Sequence, residues 1–259
     1  MMFLRKLIPD FLVNYYHFIL ALLGALWYGF PSRNLIVIGI TGTNGKSTVV
    51  EICDLILREA GYKVASVSSI RFRIGDKEWK NELKMTMPGR FKLQKFLYEA
   101  VKNGCQYAII EVTSEGIKQH RHRFIDFDVA VFTNLTPEHI ESHGSFEKYK
   151  EAKGKLFKAL KSNEIFNFQF SKSKFSNKKV AIVNLDDNNA EYFLNFQADK
   201  RYGYRIAKED GRKIENMVEH VVEARNIQFS PKGLSFEVKY LTNILTINLP
   251  LMGKFNVYN

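Results

Sequence analysis

Short apolar runs alternate with amphipathic stretches along most of this chain. Runs rich in valine and isoleucine are typical of buried strands, and apolar residues repeated every three or four positions are typical of helices. The predicted strands are 35–40, 64–68, 107–112, 129–134 and 180–185. The predicted helices between them are 47–60, 91–102 and 146–160. Strands that are apolar on both faces need cover on both sides, so we predict an α/β fold with a mostly parallel, phosphate-loop-type sheet between helices.

The pattern changes after Ala207, where strand-forming residues dominate. Residues 224–229 and 234–240 flank a Pro-Lys-Gly turn at 231–233, which predicts a small antiparallel flap attached to the same domain. An exposed hairpin is predicted at 74–79, and a basic surface loop at 161–179.

Residues 11–30, FLVNYYHFILALLGALWYGF, form an apolar run near the N-terminus. As a helix it would be about 30 Å long, which is enough to cross a hydrocarbon core. Polar Asn14 and His17 near one end instead favour a helix that packs on the domain or lies at a membrane surface. All three placements stay open here, and we expect residues 1–34 to form this helix and a linker ahead of a domain at 35–259.

The predicted strand 35–40 runs into TGTNGKST, residues 41–48, and then into a helix. In this order a glycine-rich turn and a helix N-terminus offer backbone N–H groups to phosphate oxygens. Lys46 is expected to reach the β- and γ-phosphates, and the Ser47 hydroxyl to bind magnesium. The general motif has a glycine where this chain has Ile40, but the flanking elements are as required. Further nucleotide contacts are expected from Gly42, Thr43, Asn44, Gly45 and Thr48.

Polar residues follow two later strands. Glu111 lies at the end of 107–112, and His139 follows 129–134. Ligands of open parallel sheets bind beyond the carboxyl ends of the strands. Both residues should therefore approach the glycine-rich turn at 41–48, which we call the phosphate turn. Glu111 with Ser47, water and phosphate oxygens would suit a hard cation.

The 259-residue chain carries 38 Lys+Arg against 27 Asp+Glu, a formal net charge of +11. This excess suits an anionic partner such as a nucleotide, a nucleic acid or a membrane surface. We expect no nucleic-acid partner, because the chain has no RNA-binding signature or zinc-finger spacing. Cys53 and Cys105 form no CxxC pair, which indicates a reducing cytoplasmic location without structural disulfides, with the inner membrane face as a further option.

Four segments of the chain together resemble the Mur ligase family, whose members join amino acids to peptidoglycan precursors. They are residues 41–48, 111–121, 132–157 and 251–259, with 184–187 as a weaker fifth. TGTNGK alone would also suit folylpolyglutamate and cyanophycin synthetases. EVTSEGIKQHR, residues 111–121, most resembles the branch that extends UDP-MurNAc-dipeptide. The resemblance spans residues 35–259 and implies the central ATP-binding domain.

The resemblance implies an ATP-dependent ligase whose substrates are a UDP-MurNAc-peptide and an amino acid. A peptide carboxylate would attack the γ-phosphate, and an amine would displace phosphate from the acyl-phosphate. Lys46 would neutralise phosphoryl charge, Ser47 and Glu111 would hold one magnesium ion, and His139 would hold a second. Lys153 matches a lysine that carbon dioxide carbamylates, which would turn a cation into an anionic magnesium ligand. From its own surroundings in the sequence, Lys153 would pass as a surface lysine.

The resemblance also implies contacts to the two substrates. Thr86, Thr113, Gln119 and Arg121 match positions that contact the muramoyl-peptide. Asn256 and Asn259 match positions near the nucleotide base.

The chain departs from the family pattern in several places. Glu138 replaces an aspartate and Thr113 a serine, and both changes keep the chemistry. Residues 1–34 are too few for a uridine-binding domain, and the chain stops before the third domain, so we expect a piece of a longer protein. Two alternatives stay open, a related amide ligase that makes polyglutamate or amidates a lipid-linked precursor, and a non-catalytic nucleotide-binding or membrane-tethering module.

Overall fold

The computed structural model describes residues 9–83, 85–137, 144–161, 178–207 and 213–259. Within these ranges eleven strands form one sheet. In chain order they are β1 Ile36–Thr41, β2 Val64–Val67, β3 Arg71–Ile74, β4 Lys77–Lys80, β5 Tyr107–Glu111, β6 Val129–Phe132, β7 Val180–Asn184, β8 Lys200–Ile206, β9 His220–Ser230, β10 Gly233–Tyr240 and β11 Asn243–Leu249.

The sheet has the order β11-β10-β9-β8-β7-β6-β1-β5-β2-β3-β4. Every neighbouring pair from β9 to β2 is parallel. The pairs at the two edges, β9-β10-β11 and β2-β3-β4, are antiparallel. The predicted parallel α/β sheet is confirmed, and the predicted flap extends the main sheet because β9 pairs with β8.

The described helices are α1 Asp10–Trp27, α2 Lys46–Glu59, α3 Arg90–Lys102, α4 Ser114–Lys118, α5 Phe146–Lys158 and α6 Ala190–Leu194. Successive strand residues point to opposite faces, and Ile109 and Ile110 in β5 accordingly join different buried clusters. The larger cluster packs against α3, α5 and α6, and the smaller one against α2. Both faces of the sheet are therefore covered, as the apolar strands require.

The hairpin predicted at 74–79 is exposed on its outer strand only. β4 is exposed along its length, whereas Phe72 and Ile74 of β3 are buried in the core. The predicted exposure therefore holds for Asp76 and β4, and it was wrong for Ile74 because β3 pairs with β2 and packs over the core. Most of the loop predicted at 161–179, residues 162–177, lies outside the described residues.

Helix α1 packs on α3. A Cβ on Gly24 would lie 3.3 Å from Phe91, and the rings of Tyr28 and Phe91 are 5.6 Å apart. Among the helices of the described ranges, none has the length and apolar character needed to cross a membrane. Of the three placements left open by the sequence, packing on the domain is the one observed, and the division at residue 34 stays a prediction.

Candidate nucleotide and metal site

Glycine shapes the turn between β1 and α2. Gly42 and Gly45 have φ angles of 151° and 83°, which side-chain-bearing residues rarely adopt. A Cβ on Gly42 would lie 1.9 Å from the Thr133 hydroxyl oxygen. Thr133 follows β6, the strand beside β1, so Gly42 is what allows the turn to close against the next strand end.

The end of β6 also fixes the turn by hydrogen bonds. The backbone N–H groups of Thr43 and Asn44 donate to the carbonyl and the side-chain oxygen of Asn134, at 2.8 and 2.9 Å. The Thr133 hydroxyl donates to the Asn44 carbonyl at 2.8 Å. Two N–H groups of the turn are thus used in hydrogen bonds within the protein. The first turn of α2, which starts at Lys46 and includes Ser47 and Thr48, is the kind of helix start whose N–H groups can donate to a phosphate.

Lys46 lies at the start of α2 and is half-buried. Its Nζ donates to the Thr43 carbonyl at 2.7 Å, which folds the side chain back over the turn. A flexible ammonium in this position can move onto a phosphate oxygen.

Two hydroxyls and one carboxylate meet at the ends of β1, β5 and β2. Ser47 Oγ donates to Glu111 Oε2 at 2.8 Å, and it lies 2.7 Å from Ser69 Oγ. The backbone N–H of Ser69 also donates to Glu111 Oε2, at 2.9 Å. Glu111 is buried, and Ile40 is its register partner in β1. The structure therefore brings together Ser47 and Glu111, as expected from their positions at strand ends.

Sequence reasoning missed Ser69. It follows β2, the strand beside β5, so the rule that selected Glu111 could also have selected it. Within the described ranges no three His, Cys, Asp or Glu residues cluster as a metal site. A cation here would rely on one carboxylate, hydroxyls, water and phosphate, which is the donor set that magnesium accepts. His139, proposed for a second ion, lies with Glu138 outside the described residues.

Lys153 reaches the phosphate turn from α5. It is only 1% exposed, so the surface position that its sequence surroundings suggested was wrong. Its Nζ donates to the Gly42 carbonyl at 2.5 Å and lies 4.4 Å from the centre of the Tyr149 ring. The Tyr149 hydroxyl is 3.3 Å from the Thr43 hydroxyl. Helix α5 therefore contacts the turn at Gly42 and Thr43, through Lys153 and Tyr149.

The last residues of the chain also reach the turn. Asn256 is buried and donates to the Met252 carbonyl at 2.7 Å, and Asn259 donates to Asn256 Oδ1 at 3.0 Å. Asn259 Oδ1 lies so close to Gly45 that a Cβ on Gly45 would be only 2.2 Å from it. The Tyr258 hydroxyl donates to Asp186 at 2.9 Å, and burial, followed by this bond, raises the pKa of Tyr258. The two asparagines are thus positioned beside the phosphate turn.

The residues expected on the substrate side lie on and around α4. Thr113 caps α4 by accepting the Gly116 N–H at 3.0 Å. Arg121 is buried, and its guanidinium donates to the Met87 carbonyl and, at 2.6 Å, to Gln119 Oε1. Burial and the nearby Arg90 lower the pKa of Arg121. Arg121 therefore bridges α4 to the stretch around Met87, whereas an anion-binding role would require it to face a ligand.

Thr86, immediately before Met87, is half-buried, and its carbonyl accepts from Asn81 Nδ2 at 3.4 Å. A Cβ on Gly116 would lie 2.5 Å from Met87 Sδ, so this stretch packs tightly on α4. The structure thus brings together the two segments that hold the expected substrate contacts.

Most of this chain is similar to proteins of known families. The family description "Mur ligase middle domain" matches residues 40–259. The UDP-N-acetylmuramoyl-L-alanyl-D-glutamate–2,6-diaminopimelate ligase of Bacillus cereus is 35% identical over 240 residues, which cover 93% of this chain and 45% of that protein. A UDP-N-acetylmuramyl-tripeptide synthetase of Roseiflexus is 32% identical over 245 residues, again with 45% of its length covered. The chain thus spans about 45% of the length of these relatives.

Two solved structures illustrate the fold that this chain shares with other proteins. A UDP-N-acetylmuramoyl-L-alanyl-D-glutamate–2,6-diaminopimelate ligase superposes with a TM-score of 0.67 at 26% identity, covering 86% of this chain and 41% of that one. The Escherichia coli FolC structure has a TM-score of 0.59 at 20% identity, covering 92% of this chain and 55% of that one, which shows a common fold alone. The resemblance found in the sequence is confirmed, and the chain belongs to the Mur ligase family through its middle domain.

Proposed function

We propose that this chain provides the ATP-binding domain of an amide ligase that adds an amino acid to UDP-N-acetylmuramoyl-L-alanyl-D-glutamate. The observation that carries the proposal is the hydrogen-bonded group of Ser47, Ser69 and Glu111. This group lies beside the phosphate turn, whose Gly42 carbonyl accepts a hydrogen bond from Lys153. Two relatives with more than 30% identity are named as a ligase of this precursor and as a UDP-N-acetylmuramyl-tripeptide synthetase.

Magnesium-bound ATP would supply the phosphoryl group that activates the substrate carboxylate as an acyl-phosphate. Ser47 and Glu111 would hold the magnesium ion, with Ser69 close enough to join them. Lys46 would leave the Thr43 carbonyl and neutralise charge on the transferred phosphoryl group. Asn256 and Asn259 would border the nucleotide above Gly45, and His139 stays the proposed ligand of a second magnesium ion.

Lys153 is proposed to be carbamylated. Its amine would add to carbon dioxide, with loss of one proton, to give an N-carboxylate. The N–H that remains can keep the bond to the Gly42 carbonyl, while the two new oxygens supply the anionic donors that a cation requires. A lysine placed at the first glycine of the turn can therefore both support the turn and add charge at its edge.

The muramoyl-peptide is proposed to lie along α4 and the stretch around Met87. Thr86, Thr113, Gln119 and Arg121 are the proposed contacts, and Arg121 would also tie Gln119 to the Met87 stretch through its two bonds. The polyglutamate alternative rests on structures below 25% identity, which share the fold only. A non-catalytic module would have no use for the joint placement of Ser47, Glu111 and Lys153.

The test of this function is product formation by the enzyme isolated from its source cells. We expect phosphate release and a peptide-extended UDP-sugar, detected by mass spectrometry, when ATP, magnesium, UDP-MurNAc-L-Ala-D-Glu and diaminopimelate or lysine are combined. Folate and lipid-linked substrates serve as comparisons. Turnover with a folate alone would support the polyglutamate alternative, and no turnover with any substrate would support the non-catalytic one.

We also propose that the outer face of α1 contacts an anionic membrane surface. Leu12, Tyr16 and Trp27, which lie on one side of this helix, are 47%, 58% and 77% exposed. Arg33 lies over the Phe30 ring, and Lys102 lies over Tyr98, whose ring contacts Tyr28 at the end of α1. Aromatic side chains beside cations, on a chain with a net charge of +11, suit phosphate headgroups.

Vesicle co-sedimentation tests the membrane contact. We expect binding to phosphatidylglycerol vesicles, weak binding to phosphatidylcholine vesicles, and reduced binding of Trp27→Ser. Ile56→Ser, which removes an apolar side chain that is 60% exposed from α2, is the control. Equal sedimentation of all three proteins with both lipids would contradict the contact.

A further inference from the structure

The inner face of α1 contacts the residues that follow α4. Asn14 Oδ1 and His120 Nε2 are 2.6 Å apart, and because an amide oxygen only accepts, His120 donates. The Phe18 ring meets the His120 and Phe124 rings edge-on, at 5.9 and 5.3 Å between centroids. We refer to residues 113–124 as the α4 segment. Its last part is thus bound by a helix that precedes it by about a hundred residues.

The backbone of the α4 segment is unfavourable at the two residues that α1 contacts. His120 and Phe124 have φ angles of 57° and 59°, in the left-handed region. Non-glycine residues seldom adopt this region, and a bulky one such as Phe124 keeps it only where surrounding contacts impose it. The Phe18 ring and the Asn14 amide are contacts of this kind.

A second connection runs from α1 to the side chains of the segment. The Arg90 guanidinium donates to the His17 ring, and Arg90 Nε donates to the Gln119 carbonyl at 2.9 Å. Gln119 in turn accepts from Arg121, which holds the Met87 carbonyl. Helix α1 therefore reaches both the backbone and the side chains of the proposed substrate contacts.

We propose that α1 is a positioning element of the muramoyl-peptide site, acting through Asn14 and Phe18 on His120 and Phe124. This inference rests on the proposed function for the identity of the substrate. Without these contacts, residues 119–124 would relax from the left-handed conformation, and Gln119 and Arg121 would lose their register with Met87. The phosphate turn contacts α5 and the end of β6 instead, so ATP binding should not depend on α1.

Steady-state kinetics of the enzyme expressed from its own gene separates positioning from general stability. We expect Phe18→Ala and Asn14→Leu to raise the KM for UDP-MurNAc-L-Ala-D-Glu at least about fivefold, with kcat and the KM for ATP nearly unchanged. Asn14→Asp keeps an oxygen acceptor for His120 and should restore a KM close to that of the wild type. Tyr28→Leu, which weakens α1 against α3 without touching the α4 segment, should lower the melting temperature and leave KM unchanged.

Amide hydrogen exchange of the ligand-free chain tests the same idea without a substrate. Exchange should rise in residues 113–124 of Phe18→Ala, and it should stay as in the wild type for Tyr15→Ala, whose side chain points outward. Unchanged exchange in the segment would overturn the proposal, as would a rise that spreads equally to β1 and the phosphate turn. An unchanged KM beside faster exchange would overturn the substrate role. If the wild type binds no muramoyl-peptide but exchange rises locally, the proposed function fails and the role of α1 in positioning the segment stands.

Discussion

The phosphate turn and the α4 segment lie at neighbouring parts of the site, and different forces hold them. Glycine gives the phosphate turn its positive φ angles at Gly42 and Gly45, and buried polar groups then fix it. The α4 segment has positive φ angles at His120 and Phe124, where the side chains oppose them. Packing from a distant helix imposes that conformation. The turn should therefore be sensitive to small local changes, and the segment to changes in α1.

The largest effect is expected from Gly42→Ala. The new Cβ would lie 1.9 Å from the Thr133 hydroxyl oxygen at a φ of 151°, so the turn must open. We expect ATP affinity, measured by titration calorimetry with magnesium, to fall about 100-fold or more, which corresponds to about 3 kcal/mol. Gly61→Ala is the control, because Gly61 also has a positive φ, 85°, but nothing within 4 Å of its Cβ. It should cost about 1–2 kcal/mol of stability and leave ATP affinity intact. Equal ATP affinity in the Gly42→Ala protein would show that the turn is not the nucleotide site.

Lys153→Ala ranks second. Removing the side chain takes away the donor to the Gly42 carbonyl and the proposed carbamate, and loss of a metal ligand typically costs about 10–100-fold in activity. Acetate should restore part of the lost activity, since a small carboxylate can occupy the space of the carbamate. Lys158→Ala, an exposed lysine on the same helix, should behave as the wild type. If acetate has no effect while magnesium binding is normal, the carbamate is not part of the site.

The two serines beside Glu111 should differ from each other. Ser47→Ala removes a hydroxyl that donates to the carboxylate, and we expect the magnesium concentration for half-maximal activity to rise about tenfold. Ser69→Ala should have a smaller effect, because its backbone N–H still holds Glu111 Oε2. A larger effect for Ser69 than for Ser47 would reverse their assigned roles.

The smallest effect is a loss of stability in mild acid at the α4 segment. Burial, followed by the nearby Arg123, lowers the pKa of His122 to about 3, below its ordinary value of 6.5. Between pH 6.5 and 3, His122 is therefore protonated in the unfolded chain but not in the folded chain. The stability that is present above pH 6.5 is lost as the pH falls through this range. Between pH 6.5 and 5.5 this residue should cost about 1 kcal/mol. The free energy of unfolding, measured with urea at each pH, should fall less steeply with decreasing pH for His122→Gln than for the wild type. Equal slopes of this free energy against pH would exclude His122 as the cause.

The sequence allowed prediction of the parts of this molecule that depend on local patterns. Buried parallel strands such as β1 and β5 are continuous apolar runs, and the phosphate turn has a glycine spacing with its own mechanism. Strand β8, KRYGYRI, was missed because its charged and half-buried residues show no apolar run. Its pairing with β7 and β9 decides its structure instead.

Other features depend on contacts between distant residues. The burial of Lys153 follows from the approach of α5 to Gly42, 111 residues away in sequence. The bond between Asn14 and His120 spans 106 residues. Neither has a local periodicity, so a single sequence could indicate Lys153 only through family resemblance, and it gave no sign of the contact between α1 and the α4 segment.

The most direct test of the ligase proposal follows the oxygen of the substrate carboxylate. UDP-MurNAc-L-Ala-D-Glu labelled with ¹⁸O in its reacting carboxylate is incubated with the enzyme, ATP, magnesium and the amino acid, and the released phosphate is examined by mass spectrometry. If the carboxylate attacks the γ-phosphate and the amine then displaces phosphate at the acyl carbon, each phosphate released carries one ¹⁸O. Phosphate without ¹⁸O would mean that water is the nucleophile, and this result would contradict activation of the substrate as an acyl-phosphate.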